Sequence, residues 1–172
     1  MERIPLPERA PPVHSGSERV QLESWLDFQR TTLLVKCADL DVDQLRRQPV
    51  ATSLLSLLGL LRHMTFVEQV WFDAVFSGVE APEYFKRAED RDADFRDLDS
   101  ATLEEVYQLF LTACARSRDV ASGHDLDEMA AVERRGRHVD LRWIYVHMIE
   151  EYARHLGHAD LLRELIDGST GY

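Results

Sequence analysis

The chain has 172 residues, of which 45% are hydrophobic, and a formal net charge of −11 at pH 7. This length suits a single domain with a hydrophobic core of its own. An acidic chain gains no counterion release from a polyanion, so the charge argues against nucleic acid or an anionic membrane surface as the main partner. A small molecule or another protein is the expected partner. No stretch resembles a signal peptide or an uninterrupted membrane span, and we expect a cytoplasmic protein.

Helix signals recur along the whole chain after a proline-rich start. Residues 1–16 hold four prolines and are expected to form an irregular N-terminal arm, followed by one domain over residues 17–172. Four long helices are predicted at about 17–38, 53–77, 102–122 and 140–167, with a short helical turn between Asp41 and Pro49. Their expected N-caps are Ser17, Thr52, Thr102 with Glu105, and Asp140.

The connections on either side of the third helix are long for a bundle. The acidic connection, residues 79–99, includes RAEDRDADFRDLD, which we interpret as a solvated segment because its aspartates do not have EF-hand spacing. The other connection, residues 123–139, is polar. Four long helices without an alternating strand pattern predict an all-α fold, a four-helix bundle in which these connections cover one end.

The fourth helix carries ionisable residues where an apolar stripe is expected. Steps of three and four residues give Leu141, Ile144, Met148, Glu151, His155, His158, Leu162 and Leu165. The centre of this stripe is Glu-His-His, which predicts polar side chains in the bundle core. A buried carboxylate without a partner is costly, so something is expected to compensate it.

The second helix repeats this anomaly at His63, which lies in line with Leu60 and Val67 in an otherwise apolar segment. A core that receives His63, Glu151 and His155 would offer two imidazoles and a carboxylate to a divalent transition metal. Three protein ligands leave coordination positions open, which is the arrangement of a catalytic site. This ligand set suits zinc, nickel, iron and manganese to differing degrees, so the residues alone leave the metal cofactor open.

Two segments carry a resemblance to a known group of proteins. LLRHMTFVEQVWF together with LRWIYVHMIEEYARHLGHADLLRELIDG resembles the DinB-like superfamily of bacterial four-helix metal proteins. The nearest branch includes the metal-binding domain of mycothiol-dependent maleylpyruvate isomerase, and the resemblance extends from the first helix to Gly168. It implies that His63, Glu151 and His155 bind zinc.

The same resemblance implies an activity. Similar proteins join a low-molecular-weight thiol such as mycothiol to an electrophile, so the expected partners are a thiol cosubstrate and an electrophilic small molecule, and the expected function is that of a metal-dependent thiol transferase or isomerase. A metal that binds sulfur lowers the thiol pKa, which makes this chemistry coherent. The alternative function is a non-catalytic, metal-stabilised module for binding or dimerisation, and a homodimer fits either function. A bundle with no metal and only a polar network remains a third possibility.

Several residues have ordinary structural interpretations. His147 is an alternative ligand four residues before Glu151, but a buried and hydrogen-bonded histidine is the commoner outcome, and His158 is expected to support the cluster from outside. Cys37 and Cys114 are interpreted as small buried hydrophobic residues. Three arginines could recognise a carboxylate of a thiol cofactor or substrate, but surface salt bridges are their expected role: Arg62, Arg142 and Arg154.

Overall fold

The fold is all-helical over the residues that the computed structural model describes, which are 1–80, 90 and 92–171. The α-helices are α1 (Glu18–Cys37), α2 (Val42–Arg46), α3 (Leu57–Glu68), α4 (Leu103–Ser122) and α5 (Leu141–Asp167). A π-helical segment (Gln69–Ser77) continues α3, and Ala93–Phe95 form a single 3-10 turn. This part of the chain contains isolated β-bridges but no strand. The predicted all-α fold is therefore confirmed.

Local capping chemistry accounts for most of the helix starts. The side chain of Ser17 accepts a hydrogen bond from the Val20 N–H at the start of α1, and Asp140 accepts one from Trp143 at the start of α5. Thr102 and Glu105 form the reciprocal capping box predicted for α4. The predicted bounds of these three long helices are thus confirmed to within a residue or two.

The predicted start of the second long helix is wrong. The helix begins at Leu57 and not near residue 53, because Ser56 provides the cap by accepting from the Gly59 N–H. Ser53 lies in a turn, where its hydroxyl accepts from the Leu55 N–H and so gives that donor a non-helical partner. From Gln69 onward the α-helix widens into the π-helical segment, which ends at Gly78 in the left-handed conformation.

A single hydrophobic core holds the long helices together, with α1 packed mainly on α5 and α3 mainly on α4. Cys37 and Cys114 are buried in it, as predicted, and burial raises the pKa of each thiol to about 12. Both thiols therefore stay protonated at neutral pH. Ile4 of the N-terminal arm is also fully buried and bridges to Ala38. No described helix is long and apolar enough to cross a membrane.

The prediction that Glu-His-His replaces core positions of α5 is wrong. The buried face continues from Met148 through Tyr152, Leu156 and Ala159. Glu151, His155 and His158 lie beside this face and are only partly buried. The physical reason is that steps of three and four average 3.5 residues per turn, so they drift around a helix that has 3.6.

Candidate metal centre

A cleft of about 910 Å³ lies beside α3 and the first half of α5. Its wall includes His63, Val67 and Trp71 on one side and Glu151 on the other. The connection between α4 and α5 borders the same cleft through residues 134–140. The candidate ligands therefore lie beside a space large enough for a small molecule, and not in a sealed core.

Two helices bring the three predicted ligands together. Donor atoms of His63, Glu151 and His155 all lie within 4.8 Å of one another. Their side chains are 19%, 21% and 14% exposed, respectively. The His63 and His155 rings meet edge to face with their centroids 4.8 Å apart. The cluster thus occupies the border between the core and the cleft.

Glu151 lies between two imidazoles of its own helix. Its Oε2 is 3.5 Å from His155 Nε2, and its Oε1 is 3.5 Å from His147 Nε2. The interaction with His155 lowers the pKa of Glu151, although partial burial acts in the opposite direction. Glu151 is therefore a carboxylate at neutral pH and can act as an anionic ligand.

Asp94 orients His63. Its Oδ2 lies 3.0 Å from His63 Nδ1, and the Asp94 side chain is completely buried. In a neutral imidazole whose Nδ1 proton is donated to a carboxylate, Nε2 carries the lone pair that can coordinate a metal. Sequence reasoning missed this residue because it falls in the acidic connection that we interpreted as solvated.

The prediction of a solvated acidic connection lies partly outside the described residues, but Ala93 and Asp94 within it are buried. Arg62 donates hydrogen bonds to the carbonyls of Ala93, Arg96 and Asp97, which ties the 3-10 turn to α3. Only 1% of Arg62 is exposed, so the predicted surface role of this arginine is wrong. The turn packs closely on α3, since a Cβ at position 59 would lie 2.5 Å from Phe95 Cδ1 and would force this ring to shift.

The donor set fits a divalent transition metal. Two donors bound to a tetrahedral zinc ion at about 2.0–2.1 Å lie about 3.3 Å from each other. The 3.5 Å separation between Glu151 and His155 is close to that value and longer than a well-formed hydrogen bond. In addition, His155 Nδ1 is buried without a hydrogen-bond partner among the described residues. The spacing of Glu151 and His155 Nε2 therefore leaves room for a bound ion, while the unpartnered Nδ1 is the other nitrogen of the same ring.

The remaining histidines near the site have other surroundings. His147 stacks on Trp143 with ring centroids 4.9 Å apart and meets the edge of Trp71 at 4.5 Å. It also belongs to a second candidate donor group with Glu150 and Glu151. Burial is the main cause that lowers the pKa of His147, so its imidazole is neutral at neutral pH. His147 therefore has two possible roles: its ring can form part of the aromatic lining of the cleft, or it can act as an additional metal ligand.

His158 lies outside both donor groups, with its ring centroid 5.5 Å from that of His155. Partial burial, followed by the nearby His155, lowers its pKa. The two other arginines behave as predicted, because Arg142 pairs with Glu18 and Asp127 at the surface, and Arg154 pairs with Glu150.

A family model described as mycothiol-S-transferase matches residues 21–168. The chain belongs to the mycothiol-S-transferase family. The match extends from α1 to the end of α5 and includes His63, Asp94, Glu151 and His155, so the DinB-like relationship predicted from sequence is confirmed. No curated protein matches the chain.

Proposed function

We propose that this protein is a metal-dependent transferase that joins mycothiol, or a closely similar thiol, to an electrophile. His63, Glu151 and His155 are the proposed ligands, and zinc is the first candidate metal. The observation that carries the proposal is the convergence of these donor atoms within 4.8 Å beside the cleft, in a member of the mycothiol-S-transferase family. The family match favours thiol transfer over the isomerase reaction.

The residues around the proposed metal centre have distinct roles in this proposal. A divalent metal would supply Lewis acidity that favours the thiolate form of the cosubstrate. Asp94 holds the Nδ1 proton of His63 and so fixes the ring that binds through Nε2. The indole of Trp71 and the side chain of Val67 give the cleft an apolar wall beside the proposed ligands.

The overall reaction balances without a further reactant. The sulfur electron pair forms a bond to the electrophilic carbon, and the leaving group departs with the electron pair of the bond that breaks. The thiol proton goes to the solvent. If the electrophile instead carries an activated double bond, sulfur bonds to one of its carbons and a proton is added to the other.

Cobalt substitution tests the proposal, because a thiolate bound to Co²⁺ produces a charge-transfer band in the near-ultraviolet. We expect mycothiol to produce this band in cobalt-loaded wild-type protein and not in His63→Ala. The same protein should accelerate transfer of mycothiol to 1-chloro-2,4-dinitrobenzene. A bound metal whose spectrum does not respond to thiols, together with a lower melting temperature after chelation, would instead support the non-catalytic module.

A further inference from the structure

The connection between α4 and α5 ends in a tight hairpin with three arginines. Arg134 and Arg137 exchange backbone hydrogen bonds of 3.0 and 3.1 Å. Between them, Arg135 and Gly136 have φ values of 54° and 73°. Positive φ at both central positions is the geometry of a two-residue type I′ turn. We call residues 134–137 the arginine hairpin.

The arginine hairpin is attached to the helical scaffold. The residues just before the hairpin donate backbone hydrogen bonds to carbonyls of the π-helical segment. The Ala131 N–H donates to the Phe76 carbonyl at 2.9 Å, and the Val132 N–H donates to the Val75 carbonyl at 3.1 Å. Ala130 donates to the Val139 carbonyl at 2.9 Å and closes the base of the hairpin. The three guanidinium groups are thus carried on a fixed support beside the cleft.

The arginine hairpin brings three cationic side chains to the cleft without an acidic partner among the described residues. Arg134, Arg135 and Arg137 all line the cleft, and none of them forms an ion pair with a carboxylate of the described residues. Within the part of the chain that the structure describes, this border of the cleft therefore carries positive charge, although the whole chain has a net charge of −11. Elsewhere on the surface, Arg118 pairs with Asp27 and Arg142 pairs with Asp127.

Arg134 is the best placed of the three to meet a ligand. Its Cζ lies 5.0 Å from the centroid of the Trp71 ring, so its guanidinium packs on an aromatic wall of the cleft. Partial burial, and then the neighbouring Arg135, lower the pKa of Arg134. An anion in the cleft would offset both the lost hydration and the repulsion between the two cations.

We infer that the arginine hairpin binds an anionic group of the electrophile, whose apolar body lies against Trp71 and Trp143. This inference rests on the proposed transfer at His63, Glu151 and His155 and adds the substrate class: an electrophile with a carboxylate or similar anion attached to a planar apolar group. Guanidinium groups recognise such anions through charge-assisted hydrogen bonds, and the two indoles supply the apolar surface, with ring centroids 5.3 Å apart.

Two probes that differ in charge but hardly in shape test this assignment: 4-chloro-3-nitrobenzoate and 4-chloro-3-nitrobenzamide. Transfer to either forms a carbon–sulfur bond and breaks the carbon–chlorine bond, with chloride taking the electron pair and the thiol proton going to the buffer. Because the carboxylate activates the ring less than the amide does, each enzymatic rate is divided by the uncatalysed rate with the same thiol. Binding without thiol is measured separately by calorimetry.

Wild-type protein should bind the benzoate about five- to tenfold more tightly than the benzamide at low salt, a preference that falls as ionic strength rises. The double variant Arg134→Gln/Arg137→Gln should bind both probes within about twofold of each other. Arg47→Gln is the matched control, since Arg47 is exposed and lies outside the cleft lining. It should keep the wild-type preference.

The outcomes separate this inference from the proposed function. Equal binding of the two probes by the wild type, or an undiminished preference in the double variant, would overturn the anion site even if thiol transfer is observed. Preferential benzoate binding that depends on the arginine hairpin, without any thiol transfer, would support the anion site and contradict the transferase.

Discussion

Two polar clusters lie within a few residues of each other along α3 and α5, and they are built in opposite ways. In the closed cluster, Arg30 donates to both carboxylate oxygens of Glu68, at 2.7 and 2.6 Å. The Tyr152 hydroxyl also donates to Glu68 Oε1, at 2.8 Å, and Cys114 Sγ lies 3.9 Å from the same oxygen. All four residues are buried, and the charges compensate each other within the core.

The open cluster of His63, Glu151 and His155 does not compensate itself in this way. The Glu151 carboxylate is 3.5 Å from Nε2 of His155 and 3.5 Å from Nε2 of His147, which lies outside the cluster. The side chains of the cluster remain partly exposed, and the cleft lies beside it. Glu151 and Tyr152 are adjacent in sequence, yet one faces the cleft border and the other the core. The difference indicates that the closed cluster stabilises the bundle, whereas the open cluster is arranged to bind something else.

Removing the charge of Glu68 should have the largest effect on stability. The substitution Glu68→Gln leaves Arg30 buried without its main counter-charge, and loss of one member of a buried pair costs about 3–5 kcal/mol. Urea denaturation should show this loss in the free energy of unfolding. The matched control is Glu150→Gln, which breaks an exposed pair with Arg154 and should cost less than about 0.5 kcal/mol. Similar losses in both variants would contradict the closed-cluster role.

Replacement of Asp94 should affect the open cluster. Asp94→Asn removes the carboxylate that holds His63 Nδ1, and loss of such a supporting partner typically weakens metal binding about 10- to 100-fold. Competition with a chromogenic zinc chelator measures this change on folded protein. Asp92→Asn alters an exposed carboxylate two residues away and should leave zinc affinity unchanged. Equal effects of the two substitutions would exclude a specific role for Asp94.

A smaller loss of stability is expected when Tyr152 loses its hydroxyl. Tyr152→Phe removes one buried hydrogen bond to Glu68 and should reduce the free energy of unfolding by about 1–2 kcal/mol, with zinc affinity retained. Tyr145→Phe serves for comparison, because the Tyr145 hydroxyl makes a longer bond of 3.3 Å to the partly exposed Glu23. Weaker zinc binding in Tyr152→Phe, at unchanged helical content, would mean that the two clusters are not independent.

The sequence predicted those features that depend on short-range patterns. Capping residues such as Ser17 and Asp140 act on N–H groups only a few positions away, so helix starts were readable. Ser56 was missed because Thr52 offered the same chemistry earlier in the chain. The π-helical segment has no comparable signature, and nothing in residues 69–77 distinguishes it from an α-helix.

The candidate ligands were found because ionisable residues interrupted apolar helices, and the same signal at Glu68 could have pointed to the closed cluster. Its partners Arg30 and Tyr152 come from other helices, and no local pattern links them. Asp94 could not be found from composition, since its burial depends on Arg62 binding the backbone of a distant turn. The cluster lies at the cleft border because positions spaced by alternating steps of three and four residues gradually leave the buried face of a helix with about 3.6 residues per turn. Counting such steps in the sequence does not show this change of face.

The most direct test of the central claim is the metal content of protein purified without a histidine tag, measured by plasma mass spectrometry. We predict about one zinc or other transition-metal ion per wild-type chain, and little or none in His63→Ala and His155→Ala. The control His14→Ala removes an exposed histidine of the N-terminal arm and should retain its metal. Full metal content in His63→Ala, or none in the wild type after incubation with zinc, nickel or manganese, would contradict the account.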